Sequence, residues 1–202
     1  MFSEVEAVIF DQGGVLSRGG EKGANENAAA RAMGLGGTID VPDLIEDLKR
    51  GRIDNTQYVE GVNLRYPNAP VRLTDAMWDD VYASLKPEPL AYDLVRRCRE
   101  SGRRVGLLSN INPAMAKRLR SDGSYQMFDP LVLSCYVGYA KPDPEIYAAV
   151  EAGLPGIERG KILLLDDQEK CVAGARSRGW QALKVTSPER MVDEVNTLLG
   201  LR

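Results

Sequence analysis

Six residues of this 202-residue chain hold most of its chemical potential: Asp11, Ser109, Asn110, Lys141, Asp166 and Asp167. What is missing beside them narrows the chemistry. Histidine is absent, which excludes Ser-His-Asp and Cys-His catalysis and His-ligated zinc. Cys98, Cys135 and Cys171 are odd in number, widely spaced and without a CxxC, a pattern of reduced thiols rather than a disulfide framework. Carboxylates, hydroxyls, a lysine ammonium and a hard metal ion are left to do any chemistry.

These residues stand where short apolar runs stop. Asp11 follows Val8-Ile9-Phe10, Ser109-Asn110 follows Gly106-Leu107-Leu108, and Asp166-Asp167 follows Leu163-Leu164-Leu165. The runs at 5–10, 104–109, 130–134, 162–165 and 181–185 are continuous rather than alternating, which predicts parallel strands buried on both faces. Helical patterns lie between them: 89–101 ending at Gly102, 113–120 after Asn112, 143–151 ending at Gly153, 169–178 ending at Gly179, and 188–199 ending at Gly200. This is α/β alternation, and the candidate residues fall at the carboxyl ends of strands, the edge where open α/β sheets bind ligands. Pro142 holds Lys141 extended ahead of the next helix.

Residues 17–86 break the alternation, since no strand pattern interrupts their helical segments. The predicted helices are 24–33, 41–50 with Asp40 as N-cap, 55–66, and 75–84 after Thr74. Leu44, Ile45 and Leu48 share one face of the second. The expected organisation is a core of 1–16 and 87–202 with an all-helical insert at 17–86, the chain returning through Lys-Pro-Glu-Pro at 86–89. Hydrophobic residues at 44% and charged residues at 27% are those of a globular protein. A net charge of −3 gives no basic field for nucleic acid or anionic membrane. The N-terminus has no basic, apolar leader and no window approaches a membrane span, so a cytoplasmic location is expected.

Taken singly, each residue has an ordinary role open to it: Asp11 and the Asp166-Asp167 pair as caps or turn residues, Ser109-Asn110 as a turn, Lys141 as a solvated loop lysine. Taken together and in order, FDQGGVL (10–16), LLSN (107–110), KPDPEIY (141–147) and LLLDDQEKCVAGARSRGW (163–180) resemble the four motifs of the haloacid dehalogenase-like hydrolase superfamily. The resemblance covers nearly the whole chain. It implies a doubly wound parallel sheet, a helical cap formed by the insert, and a site beneath the cap. It further implies Asp11 as nucleophile, Ser109 and Lys141 as catalytic residues, and phosphate binding by Ser109, Asn110 and Lys141. Metal ligation would come from Asp11, the Gly13 backbone carbonyl, Asp166 and Asp167. The residues agree with that chemistry. An aspartate can attack phosphorus or an alkyl carbon, an anionic substrate needs positive charge that Lys141 and a metal would supply, and three aspartates make an all-oxygen cluster suited to Mg²⁺.

Two positions depart from the family pattern. Its phosphatases carry a second aspartate two residues after the first, as general acid and base; here that residue is Gly13. Positioned acid/base catalysis contributes about 10² to 10⁴ in rate, so activity would be weakened rather than abolished. Cys171 stands where the fourth motif commonly has Asp or Asn, and as a free cysteine it reads first as a small buried thiol. The first expectation is a Mg²⁺-dependent phosphatase of a small phosphorylated metabolite, monomeric or homodimeric. A 2-haloacid dehalogenase using Asp11 without metal is the rival, with which Gly13 and Tyr147 are compatible. The cluster at Asp166-Asp167 argues against it, because uncompensated carboxylates would repel a carboxylate substrate. A weakened interaction or regulatory protein on the same fold is the third reading. The glycines at 13, 14, 19, 20 and 23 match no nucleotide-binding spacing, and Arg18 reads as a solvated linker arginine.

Overall fold

A computed structural model describes residues 4–18, 24–83 and 86–201. In chain order the strands are β1 (Ala7–Phe10), β2 (Ser17–Arg18), β3 (Lys86–Pro87), β4 (Arg104–Ser109), β5 (Leu131–Leu133), β6 (Ile162–Asp166) and β7 (Gln181–Lys184). Five of them form one sheet in the order β5-β4-β1-β6-β7, and every neighbouring pair is parallel. From β1 the chain builds outward through β4 and β5, then crosses to the other side of β1 for β6 and β7. The carboxyl ends of β1 and β6 therefore flank the point where strand order reverses, the crevice in which such sheets hold ligands.

The continuous apolar strands are buried on both faces because helices cover both. Val8 and Phe10 of β1 join Leu107, Leu163 and Leu165 on one face, packed with Leu94, Val95 and Cys98 of α5 (Pro89–Glu100) and Met191 and Val195 of α10 (Pro188–Leu199). Ala7 and Ile9 turn to the other face, with Ile146, Tyr147 and Val150 of α8 (Pro144–Ala152) and Val172 and Ala175 of α9 (Glu169–Ser177). Each fully buried side chain of this size contributes about 1.5–3 kcal/mol, so the expected doubly wound α/β core holds its strands firmly. The chain also forms α6 (Pro113–Ser121), started by Asn112, whose side chain accepts from the Met115 N–H at 2.9 Å.

Between β2 and β3 lie α1 (Ala24–Ala32), α2 (Pro42–Lys49), α3 (Asn55–Arg65) and α4 (Asp75–Ala83), a cap-like helical region. Asp54 starts α3 with a complete capping box. The Tyr58 and Trp78 rings stack 4.5 Å apart, and the buried Asn63 amide exchanges bonds of 2.8 and 2.9 Å with the Leu73 backbone. The apolar cluster is continuous from these helices into the sheet's first face.

The sequence expectations miss four local features. The helical stretch is rooted by a small antiparallel ribbon, Ser17 opposite Pro87 and Arg18 opposite Lys86; two-residue strands carry no apolar pattern. Arg18 is solvated as expected, at 61% exposure, but it also pairs with the buried Glu88 carboxylate, a partner the sequence did not show. The N-cap of α2 is Val41 without a side-chain bond, not Asp40, whose N–H donates to the Tyr66 hydroxyl at 2.7 Å. A four-residue helix, α7 (Ser134–Val137), follows β5. Among the described residues no helix is long and apolar enough to cross a membrane.

Candidate active site

Three strand ends and one loop bring the expected residues together. Asp11 directly follows β1 and is 5% exposed, Ser109 ends β4 at 2%, Asp166 ends β6 fully buried, and Lys141 arrives at 3% from the loop before α8. The Lys141 ammonium stands 2.8 Å from Asp11 Oδ1 and 2.6 Å from Asp166 Oδ2, and donates to the Leu108 carbonyl at 2.9 Å. One oxygen each from Asp11, Asp166 and Asp167 lie within 4.8 Å of one another. Asp166 spends its other oxygen on the Gln168 N–H at 2.8 Å, and Asp11 Oδ1 also accepts from the Gln12 N–H at 2.7 Å.

The electrostatics are lopsided, with three carboxylates facing one ammonium. Burial alone would depress Lys141, but Asp11 and Asp166 outweigh it and hold the ammonium above its ordinary value. Burial lifts Asp11, Lys141 opposes this, and Asp166 and Asp167 add to it, leaving the carboxyl at about 7. Asp167 is raised by burial and by Asp166, and its Oδ1 is buried with no hydrogen-bond partner among the described residues. An orphaned, desolvated carboxylate oxygen is costly, and an all-oxygen cluster with negative charge to spare fits a hard divalent cation. Mg²⁺ thus suits the residues present, with Asp11, Asp167 and Asp166 as candidate ligands.

The loop after Asp11 is a tight turn in which Leu16 and Ser17 both donate to the Gln12 carbonyl. Gly13 lies within it beside Asp11, and a Cβ there would meet nothing within 4 Å. Gly14 is different: its φ is +73°, and a Cβ would lie 2.7 Å from the Asp167 carboxyl group. Gly14 was not singled out by the sequence, although a glycine next to an acidic strand end is the signal that would mark a close approach. Asn110 sits at the site, but its side chain is committed to Lys141. Its Oδ1 accepts the Lys141 N–H at 2.7 Å and its Nδ2 donates to the Lys141 carbonyl at 2.9 Å. Ser134, fully buried, holds the adjacent Ile111 backbone.

The two ambiguous residues have settled surroundings. The Tyr147 hydroxyl donates to the Cys171 carbonyl at 2.8 Å, and its ring meets Trp180 edge-on at 5.5 Å. Cys171 is fully buried, and burial pushes its thiol up to about 12, so it is a packed, unreactive thiol.

A model of the haloacid dehalogenase-like hydrolase family matches residues 5–179, spanning every element that builds this site. The chain belongs to the haloacid dehalogenase-like hydrolase family. Among curated proteins it is 32% identical over 108 residues to the phosphatase MT3486 of Mycobacterium tuberculosis, covering 52% of this chain and 49% of that protein. The chain thus spans about half the length of that relative. Among solved structures, a predicted HAD-like family hydrolase from Porphyromonas gingivalis superposes with a TM-score of 0.77 at 23% identity, over 99% of this chain and 100% of that one. The HAD family enzyme BT-2542 from Bacteroides thetaiotaomicron, solved with magnesium and inorganic phosphate, gives 0.70 at 22% identity over 89% and 93%. An L-2-haloacid dehalogenase, RSc1362, gives 0.68 at 20% over 98% and 100%. At these identities the structures establish the shared fold, and this haloacid dehalogenase-like hydrolase must be read further from its own residues.

Proposed function

We propose that the chain is a Mg²⁺-dependent phosphatase of small phosphorylated metabolites, working through an aspartyl phosphate on Asp11 beneath a helical cap at 17–86. The observation that carries this reading is the unpartnered, buried Asp167 oxygen in a cluster of three carboxylates against one ammonium. That surplus of negative charge suits a divalent cation and opposes a metal-free site for a carboxylate substrate, the dehalogenase alternative. Asp11, Asp166, Asp167 and the Gly13 carbonyl would hold the magnesium, which would supply positive charge against the site and an incoming phosphate.

The chain's own residues supply the rest. Lys141 and Gln12 N–H both engage Asp11 Oδ1, which orients the carboxylate and leaves Oδ2 clear of both for attack on phosphorus. As the Asp11 oxygen–phosphorus bond forms, the bond to the ester oxygen breaks and that oxygen leaves with the electron pair. Lys141 and the Ser109 hydroxyl stabilise charge on the transferring phosphoryl oxygens. The side chain of Asn110 holds Lys141, so Asn110 contributes to phosphate binding by placing that ammonium. Water then attacks the aspartyl phosphate, releasing inorganic phosphate and restoring the carboxylate. Gly13 offers no acid for the leaving oxygen and no base for this water, so both steps run without a factor of about 10² to 10⁴.

The test is a panel of aryl phosphates, acyl phosphates, sugar phosphates and 2-haloacids, each with and without Mg²⁺. Hydrolysis of phosphate compounds that needs Mg²⁺ is the expected result. Metal-independent release of halide would install the dehalogenase reading, and inertness across the panel would favour an interaction protein.

A further inference from the structure

The catalytic ammonium is reached by a chain of contacts that begins in the helical region. Arg50 follows the last turn of α2 with Nε 2.6 Å from Glu46 Oε1. Both of its terminal nitrogens reach Asp143: Nη1 bonds Oδ2, and Nη2 lies 3.3 Å from Oδ1. The two side chains are 17% and 27% exposed, a partly desolvated, two-point charged pair of the stronger kind. The same stretch is pressed against α7. Gly51 has a φ of +65°, and a Cβ on it would collide with the Cys135 carbonyl oxygen.

Asp143 passes this contact to Lys141. Its Oδ2 accepts the Ala140 N–H at 3.1 Å, and its own N–H donates to the Ala140 carbonyl at 2.7 Å, closing a turn around Lys141. On the opposite side Asn110 grips the Lys141 N–H and carbonyl at once. A carboxylate at the start of α8 would ordinarily cap that helix. Here the Asp143 side chain makes no cap bond and is given to Arg50 and Ala140 instead.

We propose that Arg50 is a positioning residue for Lys141: by fixing Asp143 it closes the 140–143 turn, so the placement of the catalytic ammonium depends on the helical region being docked on the core. What Lys141 then binds rests on the phosphatase reading, while the bracing itself does not. The consequence is conditional chemistry. A cap held away from the core leaves Asp143 without its cation and the Lys141 turn slack, so the site is fully formed only when it is covered.

The test uses the full-length chain and its Arg50→Gln, Arg50→Lys and Asp143→Asn variants. Asp143→Asn keeps an acceptor for the Ala140 N–H and removes the charged pair. Two quantities are read: amide hydrogen exchange over residues 138–147, set against β1 in the same protein, and Mg²⁺-dependent hydrolysis of p-nitrophenyl phosphate. Arg50→Gln and Asp143→Asn should each speed exchange in the turn about tenfold or more, with β1 unchanged. They should lower kcat/KM by about tenfold to a hundredfold, mostly in kcat, and Arg50→Lys should recover part of both. Exchange that stays at the wild-type rate, or rises only in step with β1, overturns the proposal. If the wild-type chain hydrolyses no phosphate compound, the phosphatase reading fails separately and the exchange comparison still decides the bracing.

Discussion

Gly14 and Asp167 stand so close that no side chain fits between them: a Cβ at 14 would be 2.7 Å from the Asp167 carboxyl carbon and Oδ2, at a φ of +73°. The turn after β1 thus packs directly against the carboxyl group of the residue that follows β6. Gly14→Ala should cost about 1–2 kcal/mol from the left-handed backbone alone and push Asp167 out of place. Calorimetry should find Mg²⁺ affinity reduced about tenfold or more, beyond the fall in melting temperature. Wild-type Mg²⁺ affinity in this variant would remove Asp167 from the ligand set.

Gly13, one residue earlier, tolerates what Gly14 does not. It is not among the glycines with positive φ, and its Cβ position is open. Gly13→Asp should therefore meet no steric or backbone penalty, and it places a carboxylic acid two residues from Asp11. Turnover of alkyl phosphates should rise, by at most about 10² to 10⁴. A folded, Mg²⁺-binding variant with no gain would show that the missing acid is not what limits the reaction.

The sheet was legible because Val8-Ile9-Phe10 and residues 162–165 are apolar without alternation, which only a doubly covered strand requires. The candidate site was legible as residues at strand ends plus one loop lysine, and Asp11, Ser109, Asp166 and Asp167 lie at carboxyl ends of neighbouring strands with Lys141 bonded to Asp11 and Asp166. Partnerships across the chain were not. Asp143 and Asn110 read as a helix start and a phosphate contact, yet their side chains serve Arg50 and Lys141, at separations of 93 and 31 residues. The pairing of Ser17-Arg18 with Lys86-Pro87 likewise exists only because the helices between fold back.

Leaving-group chemistry should expose the absence of an acid at position 13. An oxygen that departs with little protonation leaves faster as its conjugate acid strengthens. Rates with Mg²⁺ should fall steeply from acyl and aryl phosphates to alkyl phosphates. A flat dependence with chemistry limiting would place a general acid elsewhere in the site.

Glu151, outside the strand-end cluster, should contribute to acid stability. Its carboxylate accepts from Arg178 at 2.9 and 2.5 Å, Arg159 at 3.1 Å and the Trp180 indole at 3.0 Å. Burial pushes its pKa up, but Arg178, Trp180 and Arg159 together bring it from 4.5 down to about 2. A depressed folded value means the stabilisation is complete above the ordinary glutamate range and is lost as pH falls toward 2. Glu151→Gln should cost about 1–3 kcal/mol in urea unfolding at pH 7, and the gap to wild type should close between pH 4.5 and 2. A gap independent of pH would assign the loss to packing.

The central claim is that Asp11 becomes phosphorylated, and rapid acid quench during turnover of an acyl or aryl phosphate with Mg²⁺, followed by mass mapping, tests it directly. With no base at Gly13, the second step should be the slower one, so a phosphoryl group should accumulate on the Asp11 peptide and be absent from Asp11→Asn. Turnover with no phosphate on Asp11 at any quench time, or label on another residue that survives in Asp11→Asn, would contradict the account.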